Sequence, residues 1–362
     1  MNDRSEGEYP ALDVISGGLV AVHAHPDDET LATGGLLASW ARAGQPVCVV
    51  TCTRGERGEV IALPGTTSEG RAGLEGDGPA LGAYRETELA AALARLADGV
   101  DGAIEHAFLD TLPAASPAAG TVPVPDPASR PRYEDSGMAW VAPGVAGPAP
   151  DSPPTAFAWV PLDEPAGRLA ALIRMRRPAV VATYEPGGGY GHPDHVRTHE
   201  VTVRALELAA DPAWLPDGAG EAVREGEADA VGQAWAGAAL WQAVAPVAEV
   251  RRARAMLAEL PAASALAAAE GLTFADPGEA LPPLAKEGLD VAGAPVVRVD
   301  VRPVLDRLVG AMRAHATQVQ HATALTYPAG PVVGWYALSN NVLAPVLAAE
   351  TYLVVAAGRQ PA

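Results

Sequence analysis

Nearly continuous apolar runs alternate along this chain with stretches whose apolar residues recur at helical spacing. The runs GGLVAVHAH, PVCVVTCT and PAVVATYEP are typical of strands that are buried on both faces. Helical spacing covers residues 29–43, 83–96 and 195–209. Because buried strands that alternate with helices indicate a parallel sheet between helical layers, we predict an α/β fold, a layered domain with a mostly parallel sheet.

Segments rich in proline, alanine and glycine interrupt this pattern and predict how the chain is organised. We expect a flexible arm, a core with a Pro-rich insertion that runs over the surface, and a smaller C-terminal portion, with two further low-complexity insertions. The arm covers residues 1–17, and the core covers 18–210 with its insertion near 112–156. The C-terminal portion covers 235–362, and the two further insertions lie near 211–234 and 261–293. Within the C-terminal portion, strands are predicted at 238–244 and 296–301 and a helix at 304–320.

The charge balance narrows the classes of partner. The chain has 25 Lys and Arg against 44 Asp and Glu, a net charge of -19, which disfavours nucleic acid and anionic membranes because both require a basic surface. No apolar run reaches membrane-spanning length, and the polar N-terminus has no features of a secretory leader. On one strand, Cys48 and Cys52 would lie about 13 Å apart, too far for a disulfide. These features predict a cytoplasmic protein that binds neither nucleic acid nor membrane.

A first polar cluster, HAHPDDE at 23–29, follows the first predicted strand. Pro26 ends the strand, which places Asp27 and Asp28 near the N-terminus of the next helix. A helix cap would explain one aspartate. It explains two adjacent carboxylates and two histidines poorly, because neighbouring carboxylates repel unless a cation or hydrogen-bond donors hold them. The cluster therefore favours a metal or catalytic site over a cap.

A second polar cluster, GGGYGHPDH at 187–195, follows the strand PAVVATYEP. Its glycines are also typical of a phosphate loop, but neither a GxGxxG pattern nor a P-loop lysine is present. Both clusters fall at the carboxyl ends of predicted strands, where α/β sheets bind ligands. Hydrolytic Zn²⁺ takes three His or carboxylate ligands and leaves one position open. We assign these ligands to His25, Asp28 and His195, which would bind one Zn²⁺ per subunit. Fe²⁺ or another divalent ion can compete for such a set of ligands.

The polar residues beside this trio suit amide hydrolysis. Asp27 can accept a proton from the attacking water, and His192 can protonate the departing amine. Asp194 can orient His192 and keep it protonated, while Tyr190 can donate a hydrogen bond to the oxyanion. A packing role for Tyr190 stays open. Three further candidates are expected to be core or supporting residues rather than ligands: His23, His199 and Cys52.

The two motifs together resemble the LmbE-like, or N-acetylglucosaminyl-phosphatidylinositol de-N-acetylase, superfamily, whose signature is HPDDE with a distant GHPDH. The segments VVTCTRGERGEVI, LGAYRETELAAAL, RYEDSGMAW, AMRAHATQV and YALSNN are similar to the deacetylases of actinobacterial mycothiol biosynthesis. The resemblance implies a Rossmann-like metal hydrolase that deacetylates 1D-myo-inositol 2-acetamido-2-deoxy-alpha-D-glucopyranoside. It also implies the same ligand trio and the same catalytic roles as above.

The resemblance further implies a polyol pocket that the C-terminal portion completes. Arg85 and Asp135 would hold inositol hydroxyls, since a guanidinium fork and a carboxylate suit a polyol. Alternatively, Arg85 pairs with glutamates on an exposed helix face. The resemblance places three more residues in the same pocket: Glu59, Met138 and Gln318.

The sequence leaves three functions open. The deacetylase is the first, and a mycothiol S-conjugate amidase or a natural-product glycoside deacetylase of the same superfamily is the second. The amidase branch carries a lysine shortly after HPDDE, where this chain has Ala32, which favours the deacetylase. The third is a non-catalytic sugar-binding α/β protein. Asp27, His192 and Tyr190 weigh against it, because a binding module needs no base beside a metal. Assembly into a homo-oligomer also stays open.

Overall fold

The computed structural model describes residues 17–100, 103–112, 133–142, 144–215, 233–289 and 296–355. Parts of several predicted segments lie outside the described residues, namely 1–16 of the arm and 113–132, 143, 216–232 and 290–293 of the insertions. Within the described ranges, no helix combines the length and the apolar character needed to cross a membrane.

Strands and helices alternate through the first part of the chain, and strands dominate its end. The strands are β1 (Leu19–His23), β2 (Val47–Thr51), β3 (Glu105–Phe108), β4 (Met138–Ala142), β5 (Val145–Pro148), β6 (Val180–Tyr184), β7 (Ala239–Pro246), β8 (Thr273–Phe274), β9 (Ala285–Lys286), β10 (Val296–Asp300), β11 (Gln320–Ala329), β12 (Val332–Ala337), β13 (Val342–Leu347) and β14 (Ala349–Val355). The helices are α1 (Asp28–Arg42), α2 (Gly78–Leu96), α3 (Asp163–Arg176), α4 (Gly188–Gly191), α5 (Pro193–Ala210), α6 (Val247–Glu259), α7 (Pro261–Glu270) and α8 (Leu305–Ala314).

The central sheet runs in the order β10–β14–β7–β6–β1–β2–β3, and β9 pairs with β7. Neighbouring strands from β7 to β3 are parallel, whereas β14 and β10 are added antiparallel at one edge. The mostly parallel α/β sheet predicted from the sequence is therefore confirmed. Every residue of β1, β2 and β6 is buried, as expected for strands covered on both faces.

Alternate residues of β1 pack into two different cores. Val20 and Val22 belong to a cluster that includes residues of α3 and α5, and Leu19 and Ala21 belong to one that includes residues of α1 and α2. The two-residue alternation of a strand sends these pairs to opposite faces of the sheet. Packing from both sides fixes β1 and therefore the start of the loop that follows it.

The winding of the sheet reverses between β1 and β6. β2 and β3 lie on one side of β1, while β6 and β7 lie on the other. Such a reversal leaves a crevice beyond the carboxyl ends of the two strands. The HAHPDDE loop follows β1 and the GGGYGHPDH loop follows β6, so both clusters meet at this crevice.

The predicted surface excursion near 112–156 reaches the crevice instead. Its described part contains the β4–β5 hairpin, and Tyr133, Asp135 and Ser136 are buried just before it. Met138 is half-buried at the start of β4. The composition of this segment suggested a surface loop because most of its residues are small or proline, although its buried residues include alanines as well as the polar Asp135 and Ser136.

The C-terminal part also differs from its prediction. The helix expected over 304–320 ends at Ala314, because the buried carboxylate of Glu88 binds the N–H and the hydroxyl of Thr317 and holds the chain in a turn. A second sheet, in the order β11–β12–β13–β8, was not predicted, and three of its four strands follow this turn. Residues 261–270, expected within an insertion, form α7.

We predict that the side of the core formed by α1 contributes strongly to stability. Leu37 is fully buried on α1, so Leu37→Ala should lower the free energy of unfolding by about 2–5 kcal/mol through lost burial and the cavity it leaves. Leu215 is 59 % exposed, so the matched change Leu215→Ala should have little effect. Denaturant unfolding measures both, and equal losses would contradict this packing.

Candidate metal and catalytic centre

The loop between β1 and α1 holds Asp27 in an unusual backbone conformation. Asp27 caps α1 with a φ of 116°, a region that L side chains rarely adopt. Its N–H donates to Oε2 of Glu29 at 3.0 Å, and Oε1 of Glu29 lies 2.7 Å from Nε2 of the buried His315. The Glu29–His315 pair therefore stabilises the turn that carries Asp27 and Asp28 into the crevice.

Three side-chain atoms converge at the carboxyl ends of β1 and β6. Nδ1 of His25 lies 3.2 Å from Oδ2 of Asp28, and Nε2 of His195 lies 3.3 Å from each of these atoms. Bonds of about 2.0–2.1 Å to a tetrahedral metal place two ligand atoms about 3.3 Å apart. One atom from each of the three residues predicted as ligands thus stands at the spacing of one face of a tetrahedral site.

The proton inventory of this triangle also favours a cation. Nε2 of His25 faces the carboxylate of Asp194 at 3.3 Å, so the neutral form of His25 keeps its ring proton there and Nδ1 presents a lone pair. That lone pair meets a carboxylate oxygen of Asp28 and a nitrogen of His195. A divalent ion bound here would take the place of protons between these atoms, because each of the three residues binds a metal in its deprotonated form. Histidine nitrogen and carboxylate oxygen are ligands that Zn²⁺ accepts, so the donor set fits the predicted metal.

Two wider groupings share His25. One ligand atom from each member lies within 4.8 Å of the others in the set His25, His192 and His195 and in the set His25, Asp135 and Asp194. Nδ1 of His192 already accepts a backbone hydrogen bond, and the two carboxylates of the second set face the ring nitrogen of His25 that points away from the triangle. These groups surround the trio and are less suited to replace its members.

Two carboxylates face Nε2 of His25. Oδ2 of Asp194 lies 3.3 Å away and Oδ1 of Asp135 lies 3.6 Å away. Burial disfavours the charged form of His25, but these carboxylates outweigh it and raise its pKa well above the usual value. The prediction that the Asp194 carboxylate orients His192 is wrong, because the N–H of Ser136 at 2.8 Å and its hydroxyl hold that carboxylate on the side of His25. A carboxylate behind a metal-bound histidine fixes its tautomer.

His192 caps α5 and takes its hydrogen bond from the backbone. The N–H of Asp194 donates to Nδ1 of His192 at 3.1 Å, which leaves the ring proton on Nε2. Burial holds the pKa of His192 well below its usual value. The rings of His192 and His195 stack with centroids 4.9 Å apart. A neutral imidazole that can donate from Nε2 therefore stands beside the trio.

Arg85 holds the carboxylate of Asp27. Its Nη2 lies 3.1 Å from Oδ1 of Asp27 and also donates to the carbonyl of Pro26, while Nη1 donates to the carbonyl of Gly55 at 2.9 Å. Burial raises the pKa of Asp27 to about 6; Arg85 opposes this rise and Asp28 adds to it. Arg85 is only 3 % exposed, so the alternative in which it lies on an exposed helix face is wrong.

Tyr190 lies on a glycine loop that Glu185 holds in place. The buried carboxylate of Glu185 accepts the N–H of Gly187 at 2.7 Å and that of Gly189 at 3.1 Å. Nζ of Lys286, from β9, lies 3.1 Å from the same carboxylate. Burial raises the pKa of Tyr190 above its usual value, so its phenol stays protonated and can donate a hydrogen bond.

Four residues that the resemblance assigns to the polyol pocket gather around one turn after β2. A Cβ on Gly58 would lie 2.9 Å from Nη1 of Arg85 and 3.2 Å from Oε1 of Gln318. Nε2 of Gln318 donates to the carbonyl of Glu59 at 3.0 Å. Asp135 accepts a backbone N–H of the same turn at 3.1 Å. The turn thus brings the predicted sugar-binding residues to the side of the crevice where Asp27 lies.

The three candidates set aside as ligands have partners inside the core. Nε2 of His23 lies 2.9 Å from Oγ1 of Thr33, Nδ1 of His199 lies 2.9 Å from a backbone carbonyl, and Sγ of Cys52 accepts a threonine hydroxyl at 3.5 Å. Burial lowers the pKa of His23 to about 4 and raises that of Cys52 to about 12. None of the three contributes an atom to the triangle.

Several residues that support the centre were missed in the sequence: Glu29, Ser136, Glu185, Lys286 and His315. Their contacts join distant parts of the chain, since His315 is 286 positions from Glu29 and Lys286 is 101 positions from Glu185. One signal was available, because Lys286 is the single lysine of the chain. The others are ordinary polar residues that no local pattern distinguishes.

Comparison with known proteins covers both clusters. The family model described as GlcNAc-PI de-N-acetylase matches residues 20–206. The chain is 38% identical over 340 residues to a 1D-myo-inositol 2-acetamido-2-deoxy-alpha-D-glucopyranoside deacetylase of Rhodococcus erythropolis, which covers 94% of this chain and 91% of the relative. A relative of the same name from Kineococcus radiotolerans is 39% identical over 337 residues, or 93% of this chain and 77% of the relative. Among solved structures, the N,N'-diacetylchitobiose deacetylase of Pyrococcus horikoshii has 16% identity and a TM-score of 0.44, covering 85% of this chain and 73% of that chain.

We predict that Asp194 acts on the metal through His25. Asp194→Asn removes the charge behind His25 and should weaken zinc affinity roughly 10–100-fold, as loss of such a partner commonly does. Asp163 pairs with Arg204 on the surface, so the matched change Asp163→Asn should leave affinity unchanged. Chelator competition measures both, and wild-type zinc affinity in a folded Asp194→Asn protein would contradict this role.

Proposed function

Because the chain belongs to the GlcNAc-PI de-N-acetylase family, we propose that it hydrolyses the acetamide of 1D-myo-inositol 2-acetamido-2-deoxy-alpha-D-glucopyranoside, a step of mycothiol biosynthesis. Water is consumed, the amide C–N bond breaks, and acetate and the free amine are released. The observation that carries this proposal is the triangle of three ligand atoms with the carboxylate of Asp27 beside it. Cys48 and Cys52 are free and buried, which suits a reducing cytoplasm as the place of this reaction.

His25, Asp28 and His195 would hold one Zn²⁺. When bound, Zn²⁺ acts as a Lewis acid on the amide carbonyl and makes water acidic enough to attack near neutral pH. Fe²⁺ competes for a set of two histidines and one carboxylate, so the metal in the cell also depends on supply.

Asp27 moves the proton in this proposal. Arg85 fixes its Oδ1 at 3.1 Å, next to the ligand Asp28. Burial raises the pKa of Asp27 to about 6, close to the pH at which a cytoplasmic enzyme works. A carboxyl group with such a pKa can accept a proton from the attacking water and return it to the departing amine.

His192 and Tyr190 stabilise the negative charge that develops on the carbonyl oxygen. The low pKa of His192 and the proton on its Nε2 suit a neutral hydrogen-bond donor better than the protonated acid expected from the sequence. Tyr190 keeps its O–H and donates from the glycine loop. Donors that are already in place at this oxygen stabilise the transition state more than the substrate.

The glucosaminyl-inositol half would bind on the side of Asp27. Arg85 and Gln318 border the turn there, with Asp135 and Glu59 next to them, and we assign this group to the sugar and inositol hydroxyls. Met138, half-buried at the start of β4, would complete the wall. Arg85 and Asp135 also support the metal centre, because Arg85 fixes Asp27 and Asp135 faces the ring of His25.

Substrate comparison tests the proposed function. With zinc bound, the enzyme should release acetate from N-acetylglucosaminyl-inositol and cleave a mycothiol S-conjugate more slowly. Faster cleavage of the conjugate would make the chain an amidase. Sugar binding without hydrolysis of either amide would support the non-catalytic alternative.

The variant Asp27→Asn distinguishes a role in proton transfer from a role in metal binding. It should retain zinc and lower kcat by about 10²–10⁴-fold, the range for loss of a general base. Asp163→Asn, the exposed matched change, should keep full turnover. Asp27→Asn with wild-type kcat would show that the proton is accepted elsewhere.

A further inference from the structure

A large cavity adjoins the metal-binding triangle, and Arg85 is not among the residues that line it. Its volume is about 440 Å³, and Asp28, His195 and Tyr190 form the wall next to the metal site. This size falls in the range of about 300–1,000 Å³ that is typical of small-molecule sites. The cavity is therefore continuous with the place where the amide carbonyl would bind.

The other walls of this cavity are mainly apolar. Leu31 of α1, Leu308 and Met312 of α8, and Val346 and Ala344 of β13 line it. An acetyl methyl group fills about as much space as one water molecule, which needs roughly 10–15 Å³ of such volume. An acetyl group would thus leave most of the cavity without a substrate atom.

The polar groups of the cavity wall are mostly paired. The carboxylate of Glu350 accepts the N–H of Gly35 at 2.6 Å, the N–H of Leu36 at 2.8 Å and the hydroxyl of Tyr352 at 2.6 Å. The hydroxyl of Thr351 has no hydrogen-bond partner among the described residues. Of the other polar side chains on the wall, Arg254 binds Glu279, which leaves mainly Thr351, Tyr336 and Asn340. These are too few to bind a glucosaminyl-inositol, whose many hydroxyls each require a partner.

The position of the polyol residues decides which half of the substrate faces this cavity. Arg85, Asp135 and Gln318 are absent from its lining and lie on the side of Asp27. An amide whose carbonyl meets the metal site has its amine half on one side and its acyl half on the other. With the amine half toward the polyol residues, the acyl half enters the apolar cavity.

We propose that the cavity is an acyl-binding site and that the enzyme hydrolyses N-acyl glucosaminyl-inositols with linear acyl chains longer than acetyl, such as hexanoyl. The proposal rests on the proposed function and extends it from acetate to longer carboxylates. The bond changes are the same: water is consumed, the C–N bond breaks, and the products are a fatty carboxylate and the free amine. Each methylene that leaves water for the cavity should raise kcat/KM by up to about fourfold.

A chain-length series on one amine tests the proposal. The acetyl, butanoyl and hexanoyl amides of glucosaminyl-inositol are compared by release of the free amine. We expect kcat/KM for hexanoyl to equal or exceed that for acetyl. If the enzyme hydrolyses the acetyl amide and its kcat/KM for the hexanoyl amide is at least a hundredfold lower, the acyl site is overturned and the proposed function stands. Turnover of hexanoyl alone would overturn the acetamide assignment only, and turnover of neither would overturn both.

Filling the cavity gives an independent test. Ala344→Leu and Ala344→Phe should lower kcat/KM for hexanoyl progressively, by at least tenfold for Phe, while acetyl changes less than threefold. Ala268 is exposed on α7, so Ala268→Phe is the matched control and should change neither substrate. Thermal unfolding shows which variants fold, and the smaller Leu change serves if Phe does not. Equal loss for both substrates in a folded variant would overturn the acyl site.

Discussion

The convergence of three metal-ligand atoms is the constraint on which the rest of this structure depends. Nδ1 of His25, Oδ2 of Asp28 and Nε2 of His195 lie 3.2–3.3 Å from one another, although His195 is 170 positions from His25. They meet because β1 and β6 are parallel neighbours at the reversal of the sheet, so that their following loops leave at the same edge. Both strands are fully buried, and this burial limits how far the two loops can separate.

Two members of the centre, the ligand His25 and the neighbouring base Asp27, have a support behind them. Asp194 and Asp135 face the second nitrogen of His25, and Arg85 holds Asp27. Farther out, the Glu29–His315 and Glu185–Lys286 pairs hold the two loops themselves. Fixed supports of this kind keep donors and acceptors in position before substrate arrives, and such preorganisation is the source of most electrostatic catalysis.

The sequence was sufficient for the parts of this centre that are encoded locally. The buried strands, the reversal-point motifs and the family could be predicted because apolar runs and the HPDDE and GHPDH spacings lie within short windows, and the structure and the family match confirm the fold and the family. The direction of the Asp194 side chain could not be predicted from the sequence, because it depends on Ser136 of a Pro-rich segment. The end of α8 could not either, because Glu88 of another helix decides it.

Anomalous X-ray diffraction from crystals of the zinc-loaded protein shows directly which atoms bind the metal. We expect one strong zinc peak per chain, bonded at about 2.0–2.2 Å to Nδ1 of His25, Oδ2 of Asp28 and Nε2 of His195, with one open position toward Asp27. A peak held instead by His192, or by the carboxylates of Asp135 and Asp194, would contradict it.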